Sequence, residues 1–200
     1  GALWDESIRH VFNKAPNDMS SIEFGDKTYD ISTFRKRISA RDEIIEIIKY
    51  LPVEQREETI KQLYAQTHVK PCPHSFLSVA QIKEMHENGM LIGGHTHSHP
   101  ILAVENDDYS RTQIERCHQI LEEILGTKVE FFAFPNGKFG KDFTQAHCDM
   151  LKDLGLKIGL STNWGSLEDL AKDKYHIKRF TPWDDTKWRF CFRLAFNYKG

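Results

Sequence analysis

The sequence has no long apolar run, no C-x-x-C pair and no strong excess of charge of either sign. Its mean hydropathy is -0.54, and no stretch of it resembles a transmembrane helix. The formal net charge is -2 and the Lys and Arg residues are dispersed, which argues against a nucleic-acid-binding surface. The four cysteines lack disulfide-like spacing, which slightly favours the cytoplasm. The 200 residues, 40% of them hydrophobic, suffice for one sizeable core, so we expect one structural domain.

The chain also lacks an initiator methionine and a secretory leader. It opens with Gly1-Ala2-Leu3-Trp4, in which no basic segment precedes an apolar one. We therefore expect the first residue to be a processed, trimmed or cloned end.

The most informative segment is rich in histidine and reads Gly93-Gly94-His95-Thr96-His97-Ser98-His99-Pro100. The apolar residues before it predict a short buried strand over 90–93. Pro100 predicts an extended or turn conformation for the residue that precedes it. The histidines are therefore expected on a loop at the carboxyl end of a strand, where α/β enzymes hold their catalytic groups.

These histidines predict a metal site, because neutral imidazole is the commonest metal ligand in proteins. His95 pairs with His99 in an H-x-x-x-H pattern or with His97 in an H-x-H pattern, and a catalytic zinc with three protein ligands needs one more in either case. The alternative interpretation is a solvated or anion-binding loop. Cys72-Pro73-His74 is a weaker candidate for a metal or redox site. Five other histidines lie in helical surroundings and are expected at the surface: His10, His68, His86, His118 and His147.

Residues 1–70 are predicted to form a helical and β-hairpin insertion or cap without a catalytic group. The predicted elements are a helix over 4–14, a hairpin whose turn is Gly25-Asp26, and helices over 32–50 and 53–66 that Pro52 separates.

Residues 71–200 are predicted to alternate helices with strands. Ser78 is expected to cap a helix that Gly89 ends, directly before the strand at 90–93. The remaining predicted helices cover 108–125, 142–154 and 185–197, and the remaining strands cover 129–134, 156–161 and 175–180. This alternation is typical of parallel βα units, in an open doubly wound sheet or in part of a βα barrel. Cys117 and Cys148 fall in helical patterns and are expected to be buried or half-buried.

Three segments in this order resemble the polysaccharide deacetylases, also called the NodB-homology or carbohydrate esterase family 4 enzymes. Residues 76–100, which end in the histidine segment, resemble the family's second motif. Phe132-Ala133-Phe134-Pro135-Asn136-Gly137 resembles the third motif, and residues 159–165 with Ile177-Lys178-Arg179-Phe180 resemble a later loop and Arg-bearing strand. The resemblance implies an α/β fold, a partial or distorted (β/α) barrel that lacks its first strand or strands.

The resemblance also implies metal-assisted hydrolysis of an acetyl group on a polysaccharide or oligosaccharide. His95 and His99 would bind a divalent metal, zinc or alternatively cobalt, nickel or iron. The backbone N–H of Asn136 would donate to the oxyanion, and Pro135 would fix the turn and line the substrate site. Three aromatic residues are candidates for stacking on sugar rings: Phe134, Trp164 and Trp183.

The sequence departs from the family at the first motif, an Asp-Asp pair that supplies the third metal ligand and the general base. The two such pairs in the chain, Asp107-Asp108 and Asp184-Asp185, both follow the histidines. Asp184-Asp185 is either a substitute carboxylate or, more simply, the start of a helix. The family's Leu-x-His motif is not evident; His176 is the nearest candidate for its general acid, and Arg179 is a further catalytic candidate.

Two explanations fit these departures. The chain is the C-terminal part of a longer deacetylase, which we favour, or a degenerate relative that binds carbohydrate without hydrolysing it. In either case we expect little or no deacetylase activity from these residues alone. A rival class is the PHP-type phosphoesterases and amidohydrolases, whose H-x-H opening is similar but whose sites need further ligands downstream.

Overall fold

A computed structural model describes residues 2–73, 76–167, 169–181 and 183–198, apart from the side chain of Tyr198. The chain divides into two compact units, Gly1–Leu77 and Ser78–Gly200. None of the described helices is both long enough and apolar enough to cross a lipid bilayer.

The first unit contains three helices and one hairpin: α1 (Trp4–Lys14), β1 (Ser21–Phe24), β2 (Lys27–Asp30), α2 (Phe34–Lys49) and α3 (Val53–Thr67). The predicted hairpin is confirmed, since β1 and β2 pair antiparallel with Phe24 opposite Lys27. Thr33 caps α2 by accepting a hydrogen bond from the Lys36 N–H, and Pro52 immediately precedes α3. The core consists of apolar side chains from all five elements, among them Ile8, Phe12, Ile22, Tyr29, Ile44 and Leu63. That this unit is an insertion or cap stays a prediction.

The second unit alternates helices and short strands. Its helices are α4 (Val79–Glu87), α5 (Asp107–Leu125), α6 (Gln145–Asp153), α7 (Leu170–Asp173) and α8 (Lys187–Tyr198), and its strands are β3 (Phe131–Ala133) and β4 (Ile158–Leu160). The predicted cap of α4 is confirmed, because the Ser78 hydroxyl accepts from the Gln81 N–H and the Gln81 side chain accepts from the Ser78 N–H. A one-turn 3-10 helix at Leu102–Val104 precedes α5.

The second unit is built on a parallel ladder. β3 and β4 pair in parallel from Phe131 opposite Ile158 to Ala133 opposite Leu160. Gly94 extends the ladder beyond β3 through a parallel bridge to Phe132, and Ile177 extends it beyond β4 through a bridge to Leu160. The predicted parallel βα arrangement is therefore confirmed as an α/β fold. Over the described residues the ladder stays open and does not close into a barrel.

Two predicted strands do not form as regular strands. The segment 90–93 is not a strand, and Met90 and Leu91 are 55% and 80% exposed rather than buried. The predicted strand at 175–180 likewise contributes only Ile177. Both segments lie at the ends of the ladder, where the described residues supply only one neighbouring strand to fix their backbone.

The core of the second unit lies between the ladder, α5 and α6. Phe132, Phe134 and Phe143 are almost fully buried, and the rings of Phe134 and Phe143 stack with centroids 3.6 Å apart. Cys148 lies in this core and Cys117 is half-buried, as predicted.

His118 and His147 were expected at the surface, and both are buried. His118 donates from Nδ1 to the Ile114 carbonyl at 2.8 Å, and its ring stacks on that of Phe132. Nδ1 of His147 accepts from the Thr144 N–H at 3.0 Å. These local hydrogen bonds satisfy one ring nitrogen each, which lowers the cost of burying an imidazole.

Candidate functional site

The candidate site lies at the carboxyl edge of the parallel ladder. Each of the four ladder positions is followed by a loop at this edge, and the loops carry His95, Asn136, Asn163 and Arg179. Parallel pairing places these loops on the same side of the sheet, which is where open α/β sheets bind ligands.

The His95 ring is held in one orientation. Its Nδ1 lies 2.6 Å from the Ala133 carbonyl oxygen, which can only accept, so Nδ1 carries the proton and Nε2 keeps a free lone pair. Burial lowers the pKa of His95, and the positive charge of Arg179 lowers it further, against an opposing contribution from the Ala133 hydrogen bond. A neutral imidazole oriented through its second nitrogen is the usual form of a metal ligand.

The structure brings His95 together with His99. Their ring centroids are 4.9 Å apart and the rings are inclined by 69°. No ring contact joins His95 to His97 among the described residues; instead the His97 N–H donates to the Gln113 carbonyl. Of the two pairings that the sequence left open, the H-x-x-x-H pair is the one whose rings are in contact, edge to face.

The loop that carries these histidines has an unusual backbone. Thr96 and His99 adopt φ values of +65° and +54°, in the left-handed region that few residues other than glycine occupy. The Thr96 hydroxyl donates to the His95 carbonyl and accepts from the His99 N–H. Pro100 thus follows a left-handed residue in a turn, and such strained positions persist where the surrounding contacts fix them.

Two residues of α5, neither of which the sequence assigned to the site, support this loop. The Gln113 side-chain oxygen accepts from both the N–H and the hydroxyl of Ser98, at 2.8 and 2.9 Å. The Cys117 sulfur accepts from the His95 N–H at 3.5 Å, and burial raises the pKa of this thiol. The sequence feature that could have identified Gln113 is its position as a polar residue on a buried helical face, because it lies beside Ile114 on the inward side of α5.

The turn after β3 is tightly built. Asn136 and Gly137 have φ values of +57° and +77°. The Asn136 carbonyl accepts from the Thr162 hydroxyl at 2.5 Å, and the Gly137 carbonyl accepts from the Thr162 N–H at 2.7 Å. A Cβ on Gly137 would lie 3.0 Å from the Thr162 nitrogen, so this position requires glycine. Among the described residues none accepts from the Asn136 N–H, which therefore remains available to a ligand.

Two predicted substrate contacts need correction. Phe134 is 1% exposed and packs in the core, so its ring cannot stack on a sugar. Pro135 is also buried and shapes the turn from inside. Both lie where the chain leaves β3, and alternation along the strand puts the Phe134 ring on the same side as Phe132, where it stacks on Phe143.

The other candidates lie around the loop after β4. The Arg179 N–H donates to the Asn163 carbonyl, and the His176 ring stacks on Phe139 with centroids 4.8 Å apart. Trp164 is 49% exposed, with the Arg193 guanidinium 5.1 Å from its ring centroid.

Neither member of the Asp184-Asp185 pair is placed at the histidines by a described contact. The Asp184 carboxylate is 2.7 Å from the Arg193 guanidinium and is nearly buried in that ion pair. The pair directly precedes the start of α8, as the simpler of the two interpretations expected, and Thr186 caps that helix by accepting from the Arg189 N–H. Trp183 beside it is 77% exposed.

The residues present fit a metal only in part. Two adjacent imidazoles, one of them held through its Nδ1, match two of the three protein ligands of a catalytic zinc. No group of three His, Cys, Asp or Glu side chains able to hold a metal occurs in the described part of the chain. His74, in the weaker candidate Cys72-Pro73-His74, lies outside the described residues.

A family model described as polysaccharide deacetylase matches residues 50–159, more than half of the sequence. The chain belongs to the polysaccharide deacetylase family. This confirms the resemblance drawn from the histidine segment and the turn after β3, both of which lie within the matched residues.

Individual relatives are similar over shorter stretches. Peptidoglycan-N-acetylglucosamine deacetylase from Bacillus cereus is 39% identical over 57 residues, which are 28% of this chain and 21% of that protein. The chain thus spans about a fifth of the length of this curated relative.

Solved structures are also similar to this chain. Streptococcus pyogenes deacetylase PplD, in complex with acetate, is 25% identical with a TM-score of 0.47, over 52% of this chain and 44% of that one. IcaB from Ammonifex degensii is 22% identical with a TM-score of 0.49, over 62% and 54% of the two chains.

Proposed function

We propose that this chain is the C-terminal portion of a metal-dependent deacetylase that removes N-acetyl or O-acetyl groups from a glycan. Membership of the polysaccharide deacetylase family supports the reaction class. The observation that carries the proposal is the adjacent pair of His95 and His99, with His95 held by the Ala133 carbonyl three residues before the free Asn136 N–H. Metal ligands and an oxyanion donor then share one edge of the ladder.

His95 and His99 would hold the metal, for which imidazole favours zinc and also accommodates cobalt, nickel or iron. When bound, such a metal would polarise the acetyl carbonyl and lower the pKa of the attacking water. Gln113 and Cys117 keep the two rings in place by fixing the backbone of the histidine loop.

The turn after β3 would stabilise the developing negative charge. The Asn136 N–H is fixed by the Thr162 contacts on the following carbonyls, so it needs no reorientation when the substrate reacts. One such donor contributes about 3–4 kcal/mol in comparable sites. Arg179 adds positive charge near His95, and His176 is the available acid for the leaving group. Trp164, half-exposed after β4, would stack on a sugar ring.

The same geometry leads us to propose that these 200 residues have little or no activity by themselves. The described residues offer two imidazoles and no neighbouring carboxylate to complete the ligand set or to act as the base. Robust release of acetate from an acetylated glucosamine oligosaccharide by the purified, zinc-loaded chain would contradict this.

The test of the site is the metal content of the purified chain beside three single variants. His95→Ala and His99→Ala should each lose bound zinc, whereas His97→Ala should retain it, because the described ring contact joins His95 to His99. Loss in His95→Ala and His97→Ala with retention in His99→Ala would favour the H-x-H pairing instead. Equal loss in all three would indicate a general collapse of the loop, which circular dichroism would detect.

A non-catalytic carbohydrate-binding protein is the second candidate. The incomplete ligand set of the described residues favours it. Saturable binding of an acetylated oligosaccharide that needs Trp164 but not His95 would support it over the deacetylase. The family match argues against a PHP-type phosphoesterase or amidohydrolase.

A further inference from the structure

Helix α8 packs with its polar side inwards. Arg193 forms the ion pair with Asp184, and the Asn197 side chain exchanges hydrogen bonds with both backbone groups of Gly165. Phe190 adds a ring contact with Phe180. These inward residues recur at three- and four-residue spacing and leave the opposite side of the helix to solvent.

The outward side is strongly apolar. Trp188, Phe192 and Phe196 lie one turn apart and are 81%, 66% and 62% exposed. Amphipathic helices normally turn this kind of stripe towards a core. An exposed stripe of large aromatic residues marks a surface that a partner covers.

The apolar stripe contains a groove that can receive a side chain from a second helix. A groove of about 310 Å³ is lined by Trp188, Cys191, Phe192, Ala195 and Phe196. The first four have the i, i+3, i+4, i+7 spacing of a hole that receives one side chain of a facing helix. The two small residues form its floor between aromatic walls.

The positive charge beside the groove favours an acidic partner. Exposed Lys187 and Arg189 lie on the two flanks of the stripe, and the described helix contains no acidic residue. A second copy would bring like charges together at the same interface. We propose that this groove of α8 binds an amphipathic helix of another protein, with an apolar stripe flanked by Asp or Glu.

The test uses a synthetic helical peptide of about 18 residues, with Leu at heptad a and d positions and Glu at the flanking positions. Its control carries Lys in place of each Glu. We expect the acidic peptide to bind the chain at least about tenfold more tightly at low salt. Bound peptide should slow alkylation of Cys191 about tenfold while leaving that of half-buried Cys72 unchanged.

Variants locate the contact. Ala195→Phe fills the floor of the groove and should abolish binding, whereas Leu194→Ala, off the groove, should preserve it. Absent binding of the acidic peptide, or equal affinity for both peptides, would overturn the proposal. So would concentration-dependent dimerisation that Phe192→Ser abolishes, or binding to phosphatidylglycerol vesicles without binding to the peptide.

Discussion

Gly94 is the residue on which the position of His95 depends most directly. It pairs with β3 through both of its backbone groups, and a Cβ placed on it would lie 2.4 Å from Cε1 of His118. Ordinary contact begins at 3.4 Å, so in Gly94→Ala the ring must move by about 1 Å. The ring is 8% exposed and has little room, because it stacks on Phe132 and donates to the Ile114 carbonyl.

The cost follows from these contacts. Overpacking of this kind costs about 1–3 kcal/mol, and a weakened hydrogen bond adds about 1 kcal/mol. Alanine has less backbone entropy than glycine in the unfolded chain, which offsets about 0.7 kcal/mol of this destabilisation. We therefore expect Gly94→Ala to lower the free energy of unfolding by about 1–3 kcal/mol and, by shifting the next residue, to weaken zinc binding.

Urea unfolding followed by tryptophan fluorescence measures this, since Trp164, Trp183 and Trp188 all lie in the second unit. His118→Ala removes the obstructing ring, so the double variant should be at least about 1 kcal/mol more stable than the sum of the single effects. Gly155→Ala is the control: it has open space around its Cβ, and its effect should add to that of His118→Ala. Additive effects of Gly94→Ala and His118→Ala, within about 0.5 kcal/mol, would refute the reasoning.

Three further predictions concern the second unit. Gln113→Leu should weaken zinc binding about tenfold in a chelator competition, because it removes the hydrogen bonds that hold Ser98. The exposed control Gln119→Leu on the same helix should leave zinc binding unchanged, and equal effects would contradict the supporting role of Gln113. Phe134→Ala should lower the free energy of unfolding by about 3–5 kcal/mol in calorimetry, whereas Trp164→Ala should weaken glycan binding and leave stability nearly unchanged. The reverse pattern would restore Phe134 as a sugar contact. Burial lowers the pKa of His147, so the unfolded chain binds the proton more readily and stability should fall as the pH drops below about 6.5. The fall should be less steep in His147→Gln, which keeps an acceptor for the Thr144 N–H, and parallel pH profiles of the two proteins in urea titrations would exclude this linkage.

Local sequence signals predicted the elements well where one pattern dominated. The hairpin at Gly25-Asp26 and the helix after Ser78 follow from turn and capping chemistry that acts within a few residues. The apolar segment 90–93 was misjudged because a strand depends on its neighbours across the sheet, and the described part of the chain supplies only one here. His118 and His147 were misjudged because a polar residue on a helix gives no local sign of the hydrogen bond that permits its burial.

The sequence by itself determined the family, the histidine segment and the turn after β3, because these depend on residue types at fixed spacing. Only the tertiary structure decided between the two histidine pairings, since ring proximity depends on the left-handed backbone at Thr96 and His99. It also removed Phe134 from the substrate contacts and brought Gln113 of α5 to the histidine loop. These outcomes depend on which segments pack against one another, and packing between distant segments is not encoded in local spacing.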